Sequence, residues 1–146
     1  MAALTHKPFA ALSNEELYFI LKLRAKVFVV EQGCAYNDLD GIDLNAHHVF
    51  CRVGDRVVGA LRFFKTPEGT SIGRVVVDPD HRREKLGAKL MTKALELIRS
   101  EKFSMPIWLN AQVRYSAFYA SLGYIAEPGS ENIEDGIDHI RMWIRE

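Results

Sequence analysis

The stretch Arg74-Val75-Val76-Val77-Asp78-Pro79-Asp80-His81-Arg82-Arg83-Glu84-Lys85-Leu86-Gly87-Ala88-Lys89-Leu90 decides the fold. A β-branched run stops at Asp78-Pro79, and a tight turn leads into a helix. That helix carries Leu86, Leu90, Ala94, Leu97 and Ile98 on one face. Free N–H groups and the helix dipole converge at such a start and favour an anion. Arg82, Arg83, Lys85 and Lys89 gather positive charge there, although the chain's 19 basic and 19 acidic side chains otherwise cancel. Gly87 lets a ligand approach the backbone. On residue types alone two readings stay open: a pocket for a diphosphate, or a solvated basic turn with an ordinary capping role.

Upstream, residues 71–77 follow two strand-like runs, 48–53 and 56–65, joined through Gly54-Asp55, a hairpin signal. Residues 66–70, with Pro67 and Gly69, make the next turn, and the three runs predict an antiparallel meander. Before them, Ser13-Asn14-Glu15-Glu16 has the form of a capping box. Leu17, Ile20, Leu21, Val27 and Phe28 then recur at helical spacing. Arg24 interrupts that stripe and either reaches to its rim or points into a polar cleft. Residues 31–45 are rich in Gly, Asp and Asn and predict a structured loop.

Downstream, residues 106–110 predict a strand and 112–122 a helix ended by Gly123. A loop carries Pro128, Gly129 and Asp135-Gly136, and Ile137–Ile144 is the last strand. The order α, β-meander, α, β, α, β, β predicts an α+β fold. Its mixed, mostly antiparallel sheet has helices on its faces, in one domain over residues 1–146.

Composition sets the outer limits. A chain with 48% hydrophobic and 26% charged residues has the make-up of a soluble globular protein. Zero net charge argues against nucleic acid or membrane as partner. The N-terminus lacks a signal-peptide stretch, no run is long enough to span a bilayer, and Cys34 and Cys51 are too few for a disulfide scaffold. A cytoplasmic protein with free thiols is expected. No metal is expected either. Asp38-x-Asp40-Gly41-x-Asp43 places its glycine too early for a calcium loop, and Val49 stands at the bidentate position. Cys34, His47, His48 and Cys51 suggest zinc, but His48 and Cys51 would point to opposite faces of one strand.

Arg82-x-x-Lys85-x-Gly87-Ala88, after a Val-rich strand, resembles the coenzyme A diphosphate loop of the GNAT superfamily of N-acetyltransferases, with Lys85 where a glycine is usual. Ala111-Gln112-Val113-Arg114-Tyr115-Ser116-Ala117-Phe118-Tyr119-Ala120-Ser121-Leu122-Gly123-Tyr124 resembles the same superfamily's Asn/Gln-containing helix ending in Phe-Tyr-x-x-x-Gly-Phe/Tyr. Leu23-Arg24-x-x-Val27-Phe28-Val29-Val30-Glu31-Gln32, Tyr36-x-x-x-Asp40-Gly41-x-Asp43 and Ala46-x-His48 narrow the resemblance to the ElaA-like branch. So do Ile72-Gly73-Arg74-Val75 and Glu134-Asp135-Gly136-Ile137-x-His139-Ile140-x-Met142. The match then covers almost the whole chain.

The resemblance implies splayed central strands and acetyl-CoA as donor, the acetyl group passing to an amine by direct attack through a tetrahedral intermediate. It implies that pantetheine runs along Val75, Val76 and Val77. Arg82, Arg83, Glu84, Lys85, Leu86, Gly87 and Ala88 would hold the diphosphate. Gln112 would contact the pantetheine arm from the helical face it shares with Tyr119, and Tyr119 would protonate the leaving thiolate. Apart from the resemblance, Tyr119 is a core aromatic in the stripe Tyr115, Phe118, Tyr119 and Leu122. Arg24, Glu31, Arg74 and His139 are acceptor-site candidates. Arg74 alternates with Ile72 and Val76, which puts it on their face. It either pairs with Glu31, Asp40 or Asp43 or binds an acceptor carboxylate. Glu31, His47, His139 or a water chain would serve as general base. The acceptor is a small-molecule or peptide amine, and the family allows a homodimer. Two alternatives stand beside this reading: a non-catalytic acetyl-CoA-binding module, and an acyltransferase like the acyl-homoserine-lactone synthases, which share an Arg-x-x-Val-Phe helix and strand arginines (Arg62, Arg74).

Overall fold

In the computed structural model, which describes residues 3–145, the capping box forms as its residues require. Ser13 Oγ accepts the Glu16 N–H at 3.0 Å, and Glu16 Oε1 accepts the Ser13 N–H at 2.8 Å. Helix α1 (Asn14–Arg24) starts there and runs on as a π-helical segment, Ala25–Glu31. The wider π turn brings Val27 and Phe28 to the edge of a cleft described below. Helical spacing in the sequence gives no sign of that widening.

The strands are β1 (Ala3–Pro8), β2 (His47–Val53), β3 (Arg56–Thr66), β4 (Gly69–Val77), β5 (Ile107–Gln112), β6 (Ile125–Ala126), β7 (Asn132–Glu134) and β8 (Ile137–Ile144). They form one mixed sheet ordered β1-β2-β3-β4-β5-β8-β6, with β7 also paired to β8. The expected meander β2-β3-β4 is present and antiparallel. Strand β1 was not expected. Ala3-Leu4-Thr5-His6-Lys7-Pro8 has no clear alternation, and it is the free edge of β2 that aligns it.

Helix α2 (Leu86–Ser100) lies across one face and buries Leu86, Leu90, Met91, Ala94 and Ile98. Each fully buried leucine or isoleucine contributes about 1.5–3 kcal/mol. Gly59 permits this close approach, because a Cβ there would stand 2.9 Å from Leu86 Cδ2. Helix α1 covers the other face, packing Ile20, Leu23 and Val27 against Phe50, Val57, Ala60 and Val76.

Two expectations need correction. The helix placed over residues 112–122 begins later: Val113–Tyr115 is a 3-10 turn and helix α3 is only Ser116–Ser121. Gln112 belongs to β5, because the antiparallel ladder with β8 continues to the Gln112–His139 pair. The loop around Asp135-Gly136 is a hairpin turn joining β7 to β8, with φ of 51° and 78°. Paired positive φ values at an Asp-Gly step suit the twist of the flanking strands.

Three histidines make stability depend on pH. His6 Nε2 and His47 Nδ1 are 2.8 Å apart, and His48 Nε2 is 3.1 Å from the Asp43 carbonyl. Burial holds all three below the ordinary 6.5, helped at His6 by the neighbouring His47. Protonation therefore favours the unfolded chain: the contribution is full above pH 6.5 and drains as the pH falls below it. Asp40, whose hydrogen bonds from Arg62 bring it from 3.8 to about 2, adds a second loss between those values. Thermal unfolding from about pH 8 to pH 3 should show a plateau, a decline starting near 6.5 and a steeper one below about 4. A midpoint unchanged between about pH 7 and 5 would contradict this.

Candidate active site

Strands β4 and β5 run parallel but pair only at Thr70–Ile107 and Ser71–Trp108, and then part. The gap is a cleft of about 720 Å³. Val75, Val76 and Val77 form one wall. Val76 and Val77 pair with β3 on their other side, so the edge facing the cleft has no strand partner among the described residues. Arg82, Lys85, Gly87 and Ala88 form one end of the cleft, and Tyr119 of α3, Gln112 of β5 and His139 of β8 complete it.

A bulge shapes the β4 wall. Gly73 pairs with Arg62 and Val76 with Ala60, so Arg74 and Val75 together oppose Leu61, and Arg74 has a φ of 51°. The alternation that would put Ile72, Arg74 and Val76 on one face therefore fails. Ile72 packs in the α2-side core and Val76 in the α1-side core.

At the basic end the chain does not turn tightly from strand to helix. Residues Pro79–Glu84 make a 3-10 segment first, capped by Asp78, whose Oδ1 accepts the Asp80 N–H at 3.0 Å. Helix α2 then begins after Lys85 with no side chain capping it, which leaves its first N–H groups to an anion. Lys85 is left-handed, with φ 56° and ψ 30°. This backbone conformation accounts for the glycine expected at that position, since a side chain there costs about 1–2 kcal/mol. Lys85→Gly is therefore expected to stabilise the fold by about 1 kcal/mol, net of the glycine's larger unfolded entropy. Urea unfolding checks this, and a lower midpoint would contradict it. A Cβ at Gly87 would sit 3.4 Å from Phe118, an ordinary contact, so packing does not demand glycine there.

Arg82 donates to both oxygens of Glu31, through Nη1 to Oε2 at 2.7 Å and through Nη2 to Oε1. That bond lowers the Glu31 carboxyl below its ordinary range. The side chains of Arg83, Glu84 and Leu86, expected to hold a cofactor, do not line the cleft. Glu84 accepts from His81 Nδ1 at 2.9 Å and Leu86 is core, so the contribution left to them is backbone.

Gln112 donates through Nε2 to Gln32 Oε1 at 3.2 Å, while its own buried Oε1 has no hydrogen-bond partner among the described residues. Tyr119 packs edge-on against Phe118, with ring centres 5.0 Å apart. Burial raises its pKa above the ordinary tyrosine value, which keeps the phenol protonated. No described residue hydrogen-bonds its hydroxyl.

Beyond Tyr36 and Phe64 the cleft reaches a network of arginines and aspartates. Arg24, 1% exposed, donates through Nε to Asp38 at 2.7 Å and through Nη1 to Asp43 at 2.8 Å. Arg62 reaches Asp40 at 2.6 Å and Asp43 at 3.0 Å. Arg74 Nε lies 2.8 Å from Asp38 Oδ1, and its Nη2 donates to Asp40 at 3.3 Å. Arg24 thus departs from its expected place among acceptor-binding residues. It does not line the cleft, and it anchors the 31–45 loop from beneath. Arg74 does line the cleft, and of its expected partners Asp40 is present while Asp38 was missed. The carboxylates that resembled a calcium loop are spent on arginines. Sequence reasoning gave Arg62 no structural part, yet it sits at the centre of this network; its place at the middle of an apolar strand was the available signal.

The three side chains among the base candidates separate. Glu31 is held by Arg82 and does not line the cleft, and His47 stacks on His6 away from it. His139 lines the cleft, 9% exposed, with Nδ1 2.7 Å from the Ile137 carbonyl.

Parting parallel strands that open onto an uncapped basic helix start define an acyl-CoA N-acyltransferase fold. The family model described as "Acetyltransferase (GNAT) domain" matches residues 12–146, and the chain belongs to that family. It is 42% identical over 137 residues to protein ElaA of Escherichia coli, covering 90% of this chain and 88% of that one. The crystal structure of Escherichia coli ElaA superposes with a TM-score of 0.90 at 38% identity, over 100% of both chains. An acyl-CoA N-acyltransferase from Pseudomonas aeruginosa superposes at 0.91 and 35% identity, over 98% of this chain and 99% of that one. The protein is an acyltransferase of the ElaA-like branch. No helix among the described residues is long and apolar enough to cross a membrane.

Proposed function

We propose that this enzyme transfers the acetyl group of acetyl-CoA to the nitrogen of an amine. The observation that carries the reading is the unpartnered edge of Val75–Val77, which leads to the uncapped start of α2 beside Arg82 and Lys85. An amide-bearing arm fits the edge as a strand would, and a diphosphate fits the helix start. The buried, unpaired Gln112 Oε1 suits an amide N–H of that arm, and the missing side chain at Gly87 leaves room for it.

When bound, acetyl-CoA supplies the reactive thioester. The backbone at Val75–Val77 orients it, and an N–H there polarises its carbonyl. Arg82 gives up Glu31 to reach a phosphate, an exchange of exposed partners that costs little. Tyr119, a protonated phenol that hydrogen-bonds to none of the described residues, gives its proton to the departing sulfur. The test is release of coenzyme A thiol from acetyl-CoA across a panel of primary amines. Amine-dependent release with formation of the acetylated amine supports the reading; binding of acetyl-CoA with no transfer to any amine favours a non-catalytic binding module.

A further inference from the structure

We infer that His139 is the general base that deprotonates the acceptor amine, an assignment that rests on the amine-acetyltransfer reading above. Its Nδ1 lies 2.7 Å from the Ile137 carbonyl oxygen. A carbonyl only accepts, so Nδ1 carries the proton of the neutral ring, and the lone pair is on Nε2. The ring belongs to the wall of the cleft. Its cross-strand neighbours are Gln112 on β5 and Asn132 on β7, both uncharged. A charged group that faces it is Glu134 of β7, with Oε2 3.9 Å from His139 Nε2. Asp135 and Cys34 share that wall, the Cys34 thiol donating to the Asp135 carbonyl at 3.2 Å.

This arrangement does what a base requires. The tautomer is fixed by the chain's own backbone, the residue lines the cleft, and a carboxylate stands by to stabilise the imidazolium. Neither of the other two side chains, Glu31 and His47, lines the cleft, and His47 is also engaged with His6.

His139 Nε2 takes one proton from the acceptor's ammonium and later passes it to solvent. The freed lone pair forms the C–N bond at the thioester carbon. The C–S bond breaks with its electron pair going to sulfur, which takes the Tyr119 proton. The second proton lost by the nitrogen restores Tyr119 through solvent. Ammonium and thioester thus become amide, thiol and one released proton.

The test compares wild type, His139→Gln and Glu134→Gln with two probes: butylamine, protonated at neutral pH, and methoxyamine, already neutral there. His139→Gln should lose about 10²-fold or more in kcat with butylamine. It should lose little with methoxyamine and bind acetyl-CoA as wild type does in calorimetry. Glu134→Gln, a change at an exposed side chain that keeps the fold, should lose a few-fold with butylamine alone. Nitrogen-15 NMR of the imidazoles should show the Nδ1-protonated tautomer for His139. Equal loss with both amines, no loss, or an Nε2-protonated ring overturns the base assignment and leaves acetyl transfer standing. A wild type that binds acetyl-CoA but acetylates neither probe nor any amine of the panel above overturns the transfer reading and the base with it.

Discussion

Arg24→Ala is expected to cost about 3–5 kcal/mol of folding stability, the range for removing one partner of a buried ion pair. Arg24 is 1% exposed and donates through Nε, Nη1 and Nη2, so its loss takes a close cation from both Asp38 and Asp43. Burial alone would raise the Asp43 carboxyl; the hydrogen bond and charge of Arg24, with help from Arg62, outweigh it and keep it lowered. Remove Arg24, and either a carboxylate is buried without adequate pairing or it takes up a proton. The double variant Arg24→Met, Asp43→Leu should recover a good part of the loss, because it removes charge from both sides. Urea unfolding of the three proteins checks this. A loss under about 1 kcal/mol, the level of an exposed pair such as Glu31–Arg82, would contradict the structural role given to Arg24.

Tyr119→Phe is expected to lower kcat by about 10²-fold or more while leaving acetyl-CoA affinity and fold stability nearly unchanged. The stability half follows from the hydroxyl's lack of a described hydrogen-bond partner, since its removal breaks no bond. The activity half follows from the place of the phenol at the wall of the cleft. A tyrosine that served only as a core aromatic would give the opposite pattern, with turnover intact. Steady-state kinetics and calorimetry on the same preparations separate the two.

Much of this was legible because the residues that specify it act locally. The Ser13–Glu16 box, the Gly54-Asp55 hairpin and the apolar face of α2 each need only their own neighbours, and each forms. The basic helix start at Lys85–Ala88 was also visible, down to the glycine position that Lys85 fills in a left-handed conformation. What stayed hidden depends on pairing across the chain. The β4 bulge that breaks the Ile72–Arg74–Val76 alternation is set by register with β3. The strand character of Gln112 comes from β8, and β1 exists because β2 offers it an edge. Asp38, Asp40 and Asp43 carried the signature of a loop, but nothing local indicated that Arg24, Arg62 and Arg74 converge on them.

The measurement that tests the account most directly is calorimetric titration with acetyl-CoA of the wild type beside the Arg82→Ala, Lys85→Ala variant. One-site binding is expected of the wild type, weakened at least about tenfold in the variant, since each charge-assisted contact contributes on the order of 1.5 kcal/mol or more. No binding by the wild type, or equal binding by the two, would contradict it.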